Sequence, residues 1–203
     1  MKLYHRPLSG HSHRVRLFLS LIGQTADFVV VGPGENRQAE FLKLNPFGQV
    51  PVLDDQGLVV SDSISILIYL AKKFGRHDWL PEAASEAAAV QRWLSVAANE
   101  IANGPCAARL ITLFGATLDA EGAISRAHRV LALVDLALAG REWIALDHPT
   151  LADVALYSYI AHAPEGNVDL EEYANIGLWL LRMEALPGFL AMPRSSVGLN
   201  AVA

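Results

Sequence analysis

Cysteine is almost missing from this chain. Cys106 is the only one in 203 residues, so no internal disulfide framework can form, and the composition suits a reducing compartment. Charge is sparse too: charged residues make up 18% of the chain and the net charge is −5. No basic stripe appears, which argues against a nucleic-acid surface and leaves solubility as the role of the charge. No run approaches the roughly 18 apolar residues of a membrane span. No charged-then-apolar leader precedes the first strand, so a soluble, cytoplasmic protein is expected. Internal repeats and low-complexity segments are absent. His5, His11 and His13 lie close in sequence but lack acidic or cysteine partners, so no metal site is expected.

What is present is apolar material, 52% of the residues, enough for a substantial core. The first 75 residues alternate between strand and helix patterns. Residues 2–6 read as a strand. Arg14 to Ile22 reads as a helix, with Val15, Phe18, Leu19 and Ile22 at helical spacing and Gly23 as its stop. Asp27 to Val31 is a β-branched run that predicts a buried strand. Asn36 to Leu44 predicts a short helix. Two short strands (52–54 and 58–60) flank a turn at Asp54-Asp55-Gln56-Gly57, and a helix follows to Phe74, closed by Gly75. Past Arg76-His77-Asp78 the composition shifts to alanine and leucine at helical spacing. Helices are predicted over 84–103, 107–115, 122–139, 151–161 and 176–186. The expected organisation is therefore an α/β domain (1–75), a linker (76–84) and an all-helical domain (85–203). Thr150-Leu151-Ala152-Asp153 has capping-box form, a helix start needed for folding. The Ser195-Ser196-Val197-Gly198 tail is expected to be loose.

The most informative stretch is Asn45-Pro46-Phe47-Gly48-Gln49-Val50-Pro51-Val52-Leu53, followed by Ser61-Asp62-Ser63. Pro51 precedes a strand, where it cannot donate a ladder hydrogen bond, and it is a candidate for the cis isomer. A cis bond there turns the Val50 backbone N–H and C=O outward. Asp62 and Ser63 bring a carboxylate, a hydroxyl and free N–H groups to a helix N-terminus, where a ligand's charged groups can be held. Such an edge suits a small peptide-like ligand.

With the opening Lys2-Leu3-Tyr4 strand, the loop Pro7-Leu8-Ser9-Gly10-His11-Ser12 and the Thr150–Asp153 segment, this pattern resembles the bacterial cytosolic glutathione S-transferases of serine type (theta-, beta- or zeta-like). The resemblance spans the whole chain. It implies a thioredoxin-like N-terminal domain with a mixed sheet, an all-α C-terminal domain, glutathione as cosubstrate and a homodimer with a role in detoxification. The implied reaction is addition of the glutathione thiolate to small hydrophobic electrophiles. Glutathione-dependent disulfide or peroxide reduction, or glutathione binding with little turnover, are the alternatives.

A free thiol with pKa near 8.5 is mostly protonated at neutral pH, so the site needs a donor at the sulfur and a helix N-terminus behind it. The resemblance makes Ser9 that donor. Ser12 is read as the cap of the first helix and a glutathione contact. His11 is either a second group at the sulfur or a loop histidine. The resemblance further implies that Asp62 and Ser63 hold the γ-glutamyl end and that Val50, set by Pro51, pairs with the cysteinyl backbone. Gln49 and Asn36, or its neighbour Arg37, then reach the glycyl end. Leu8, Asn99, Asn103, Cys106 and Arg109 are expected around the electrophile, with Cys106 itself a buried apolar residue. The resemblance also implies a dimer face made by the third and fourth helices and the strand-turn-strand region, with Ile66, Tyr69, Arg92 and Trp93 as contributors.

Overall fold

Four short strands and three helices build the first half. They are β1 (Lys2–His5), α1 (Gly10–Leu21), β2 (Asp27–Val30), α2 (Ala39–Leu44), β3 (Val52–Asp55), β4 (Leu58–Ser61) and α3 (Ser63–Lys73). In this computed structural model residues 1–201 are described. The sheet order is β2-β1-β3-β4. Strands β1 and β2 run parallel, with Leu3 opposite Phe28. Strands β1/β3 and β3/β4 are antiparallel, with Leu53 opposite both Leu3 and Val60. This is the mixed, thioredoxin-like sheet. Leu3, Leu53, Phe18, Leu67 and Leu70 are all fully buried, each worth about 1.5–3 kcal/mol relative to exposure.

Three expectations change here. The β2 run is an edge strand rather than a buried one, with Phe28 44% and Val30 58% exposed. A β-branched run favours the extended backbone but does not say how many neighbours cover it. Helix α1 begins at Gly10, four residues early, because Ser9 rather than Ser12 is its N-cap: Ser9 Oγ accepts the Ser12 N–H at 3.2 Å. The helix predicted over 36–44 divides at Gln38 into a 3-10 turn (Glu35–Arg37) and α2.

The second half is helical: α4 (Ala84–Val96), α5 (Ala107–Phe114), α6 (Ala120–Leu138), α7 (Leu151–Ala161) and α8 (Ala174–Glu184). Between α4 and α5 the chain stays helical with π-type turns over Ala97–Cys106. Pro105 lies within it, and a wide turn relieves the clash and lost N–H that proline brings to a helix. Helix α7 is buried along its whole length. Its capping box is formed, and Asp153 goes further than a cap. Its Oδ2 accepts the Thr150 N–H (2.9 Å), and its Oδ1 accepts the Ile144 N–H and the Trp179 indole N–H, both at 3.0 Å. Burial pushes the Asp153 pKa up and these donors oppose it.

The halves meet where α1 packs on α7. Gly10 lies flat on the Tyr159 ring, where a Cβ would stand 2.7 Å from Cζ. His13 is buried between Ser158 Oγ (2.8 Å) and the Leu190 carbonyl (2.7 Å). The tail is packed, not loose: the Ser195 N–H donates to Glu165 Oε1 at 2.9 Å. Gly198, at φ 59°, lies against Pro164 and Glu165 so closely that a Cβ would approach their carbonyl oxygens to 2.6 and 2.7 Å. Composition suggested mobility there, but one backbone bond and one glycine contact fix the segment.

Candidate functional site

The site forms where the N-termini of α1 and α3 converge. Ser9 is partly buried at the start of α1. As an N-cap it uses an oxygen lone pair to accept the Ser12 N–H, which leaves its own O–H proton free to donate. Other first-turn amides are engaged: His13 N–H donates to Ser9 C=O (2.8 Å) and His11 N–H to Tyr159 Oη (3.3 Å). The Gly10 N–H has no partner among the described residues.

Across from it, Asp62 caps α3, its Oδ1 accepting the N–H groups of Ile64 (2.9 Å) and Ser65 (3.0 Å). Its backbone sits at φ 72°, an uncommon conformation for a side-chain-bearing residue that costs of order 1–3 kcal/mol and collects at functional sites. The Asp62 side chain is exposed and Ser63 is buried. Ser63 Oγ accepts from Arg14 Nη1 at 3.1 Å and lies 3.4 Å from His11 Nδ1. Arg14 is itself buried, with Nε and Nη2 unpartnered among the described residues. Burial foremost, and the Arg14 charge next, push the His11 pKa down to about 3. The imidazole is therefore neutral at physiological pH, stacked edge-on against Tyr159 at 4.9 Å.

The Val50–Pro51 bond is cis. Neither the N–H nor the C=O of Val50 has a partner among the described residues. Gln49 is exposed, and its carbonyl accepts from Asn45 Nδ2 at 2.9 Å.

Two candidates turn inward. Ser12 is fully buried, its Oγ accepting the Arg6 N–H at 3.2 Å, so it neither caps α1 nor presents a side chain to a ligand. Asn36 is occupied within the fold: Oδ1 accepts from Arg6 Nη2 and Nδ2 donates to Gly48 C=O, each at 2.6 Å. Of the electrophile-side group, Asn99 and Asn103 are exposed, whereas Cys106 and Arg109 are 3% and 1% exposed. Burial raises the Cys106 pKa, which makes it an inert core residue. A cleft of about 600 Å³ on the linker side, lined by Leu21, Arg76, Trp79, His148 and Pro187, contains none of the candidate residues. No group of metal-ligating side chains occurs among the described residues.

Sequence reasoning missed Tyr159, Arg14 and Glu165. Tyr159 and Arg14 lie inside predicted helices; the packing of α7 on α1 brings Tyr159 to His11, and Arg14 reaches across from α1 to Ser63 on α3.

Fold and site together define a thioredoxin-like domain in which polar groups gather at two helix N-termini, backed by a helical domain. A family model described as the glutathione S-transferase N-terminal domain matches residues 3–78, and one described as the C-terminal domain matches residues 119–187. "Glutathione S-transferase 3" of Zea mays is 36% identical over 166 residues, covering 75% of this chain and 73% of that protein. Relatives from Dianthus caryophyllus and Euphorbia esula are 43% and 46% identical, but the match spans only 38% and 37% of their lengths. The crystal structure of a possible glutathione S-transferase from Rhodopseudomonas palustris superposes with TM-score 0.87 at 29% identity, covering 96% of this chain and 98% of that one. A glutathione transferase homologue from Drosophila mojavensis, solved with bound glutathione, gives TM-score 0.83 at 26% identity, covering 92% and 88% of the two chains.

The chain belongs to the glutathione S-transferase family.

Proposed function

We propose that this protein is a glutathione S-transferase that adds the glutathione thiolate to small hydrophobic electrophiles. The observation that carries this reading is the 3.4 Å approach of His11 to Ser63. It sets the start of α1, with Ser9 and its free hydroxyl proton, beside the start of α3, with Asp62 and Ser63. Asp62 takes the γ-glutamyl ammonium and Ser63 the γ-glutamyl carboxylate. The unpaired Val50 N–H and C=O meet the cysteinyl backbone. These anchors place the sulfur at Ser9, whose O–H donates to the thiolate and lowers its pKa; a hydrogen bond to a charged group is worth roughly 1.5–3 kcal/mol. Neutral His11 is the second group near the sulfur, able to accept a proton but not to supply a positive charge. Gln49 reaches the glycyl end, where Asn36 has one N–H left to offer and Arg37 supplies the charge.

Residues 1–75 form the glutathione-binding domain, 76–84 the linker, and 85–203 the helical domain that completes the electrophile site. The protein works in the cytoplasm, consistent with its lone buried thiol, and as a homodimer. Ile66 and Trp93 are 0% and 7% exposed and belong to the chain's own core. Apolar surface for a symmetry mate is offered by the strand-turn-strand region, where Leu58 is 53% and Val59 38% exposed, and by Phe47, 77% exposed on the loop between α2 and β3. Conjugation of an aryl halide and reduction of hydroxyethyl disulfide, assayed side by side, test the activity. Conjugation exceeding disulfide reduction is expected; the reverse makes the protein a reductase, and neither activity makes it a binding protein.

A further inference from the structure

A buried polar chain runs from the C-terminal segment to the loop that carries Ser9. Arg109, 1% exposed on α5, reaches across the domain boundary and donates from Nη1 to the Leu8 carbonyl at 2.7 Å. Its Nε donates to Glu165 Oε2 at 2.6 Å. Glu165 is fully buried and is held from its other side: Oε1 accepts from His162 Nδ1 at 2.8 Å and from the Ser195 N–H at 2.9 Å. Two glycines allow the layers to close. A Cβ on Gly166 would stand 2.6 Å from the Arg109 nitrogen, and one on Gly198 would stand 2.6 Å from the Pro164 carbonyl.

The Leu8–Ser9 peptide is one rigid plane, with its C=O and N–H pointing in opposite directions. Both ends are held: the carbonyl by Arg109, the Ser9 N–H by the Arg6 carbonyl at 3.1 Å. A plane fixed at both ends cannot rotate, so the Ser9 backbone stays in place, and the Ser12 N–H, 3.2 Å away, holds its Oγ. The guanidinium suits this task because its rigid planar fork aims at two acceptors in fixed directions, whereas a lysine brings a single ammonium on a flexible stem. Arg109 has only Nη2 unpartnered, so its function lies in the loop it holds rather than in lining the electrophile site as the sequence suggested.

We infer that Arg109 is a positioning residue for Ser9 and that the C-terminal segment, through Glu165, sets where Arg109 stands. This rests on the reading that Ser9 faces the glutathione thiol. The tail then influences thiol activation without touching the ligand.

The test is a pH titration of thiolate absorbance for glutathione bound to the full-length protein, with affinity measured by calorimetry. Gly198→Ala and Ser195→Pro disturb the tail and leave every glutathione anchor in place. Arg109→Met combined with Glu165→Leu removes the bridge without stranding a buried carboxylate. Each is expected to raise the bound thiol pKa by about half to one unit, with turnover at pH 6.5 falling about 3- to 10-fold and recovering at high pH. Glutathione affinity should stay within about twofold, since Val50, Asp62 and Ser63 are untouched. Arg109→Lys should fall between wild type and the double variant. If the double variant does not fold, the two tail variants decide the matter. Variants that bind glutathione and titrate its thiol like wild type overturn the inference alone. A wild type that shows neither binding heat nor thiolate absorbance overturns the Ser9–glutathione reading and this inference with it.

Discussion

His11 and Ser63, 52 residues apart in sequence, meet side chain to side chain at 3.4 Å. Arg14 Nη1 approaches the same hydroxyl at 3.1 Å, and a guanidinium can only donate. The Ser63 oxygen is thus an acceptor towards Arg14, and its proton is free for His11 or for a ligand carboxylate. With His11 neutral, this corner gathers donors without a second full positive charge. The proposed γ-glutamyl carboxylate would meet these donors at the start of α3.

Asp62 tests the other half of that corner. Asp62→Asn keeps an oxygen to cap α3 but removes the charge that faces the ligand's ammonium. Glutathione affinity should fall by about 2 kcal/mol, because the ammonium is still desolvated but has lost its partner. Thermal stability should change little. Calorimetric titration beside a melting curve checks both, and unchanged affinity removes Asp62 from the site.

Acid should destabilise the fold through its buried histidines. Burial holds the His13 pKa at about 4, against an ordinary 6.5, and His11 shifts the same way. Between those values the unfolded chain binds a proton that the native state refuses. Stability is therefore full above about pH 6.5 and falls towards pH 4, by roughly 3 kcal/mol for His13 alone. Asp153, raised by burial, acts in the opposite sense, so the contribution is isolated by comparison with His13→Asn. Urea denaturation from pH 7 to pH 4 should show a flatter dependence in that variant; parallel curves would refute the assignment.

The proposed homodimer is tested at the exposed apolar surface formed by Phe47 on the α2–β3 loop and by Leu58 and Val59 on β4. Light scattering at micromolar concentration should give twice the 22.0 kDa of the chain. Phe47→Ser, at a side chain 77% exposed, should shift the population towards monomer without lowering monomer stability. A stable monomer in the wild type would contradict the proposed dimer.

The order of elements was legible in the sequence because punctuation marks it. Gly23 and Gly75, both at positive φ, end α1 and α3 where the residue pattern says they should. Pro51 precedes β3, and Thr150 and Asp153 open α7. The edge position of β2 was harder, since the pattern of Phe28-Val29-Val30 reports backbone preference and not the number of strands alongside. The cap of α1 was misplaced because Ser9 and Ser12 are equivalent as residue types; only the Ser12 amide pointing at Ser9 Oγ distinguishes them. Arg109 and Glu165 were opaque for another reason. Their meaning lies in contacts with Leu8 and Ser195, which sequence spacing does not reveal.

The central claim is that Ser9 donates its hydroxyl proton to a glutathione thiolate, and the pH dependence of kcat/KM for wild type, Ser9→Ala and His11→Ala tests it most directly. Ser9→Ala should raise the bound thiol pKa by about one to two units and lower turnover near pH 6.5 roughly 10- to 100-fold. The deficit should shrink at high pH, where the thiol ionises unaided, with glutathione affinity nearly unchanged. A profile in which His11→Ala shows that loss and Ser9→Ala does not would contradict the account.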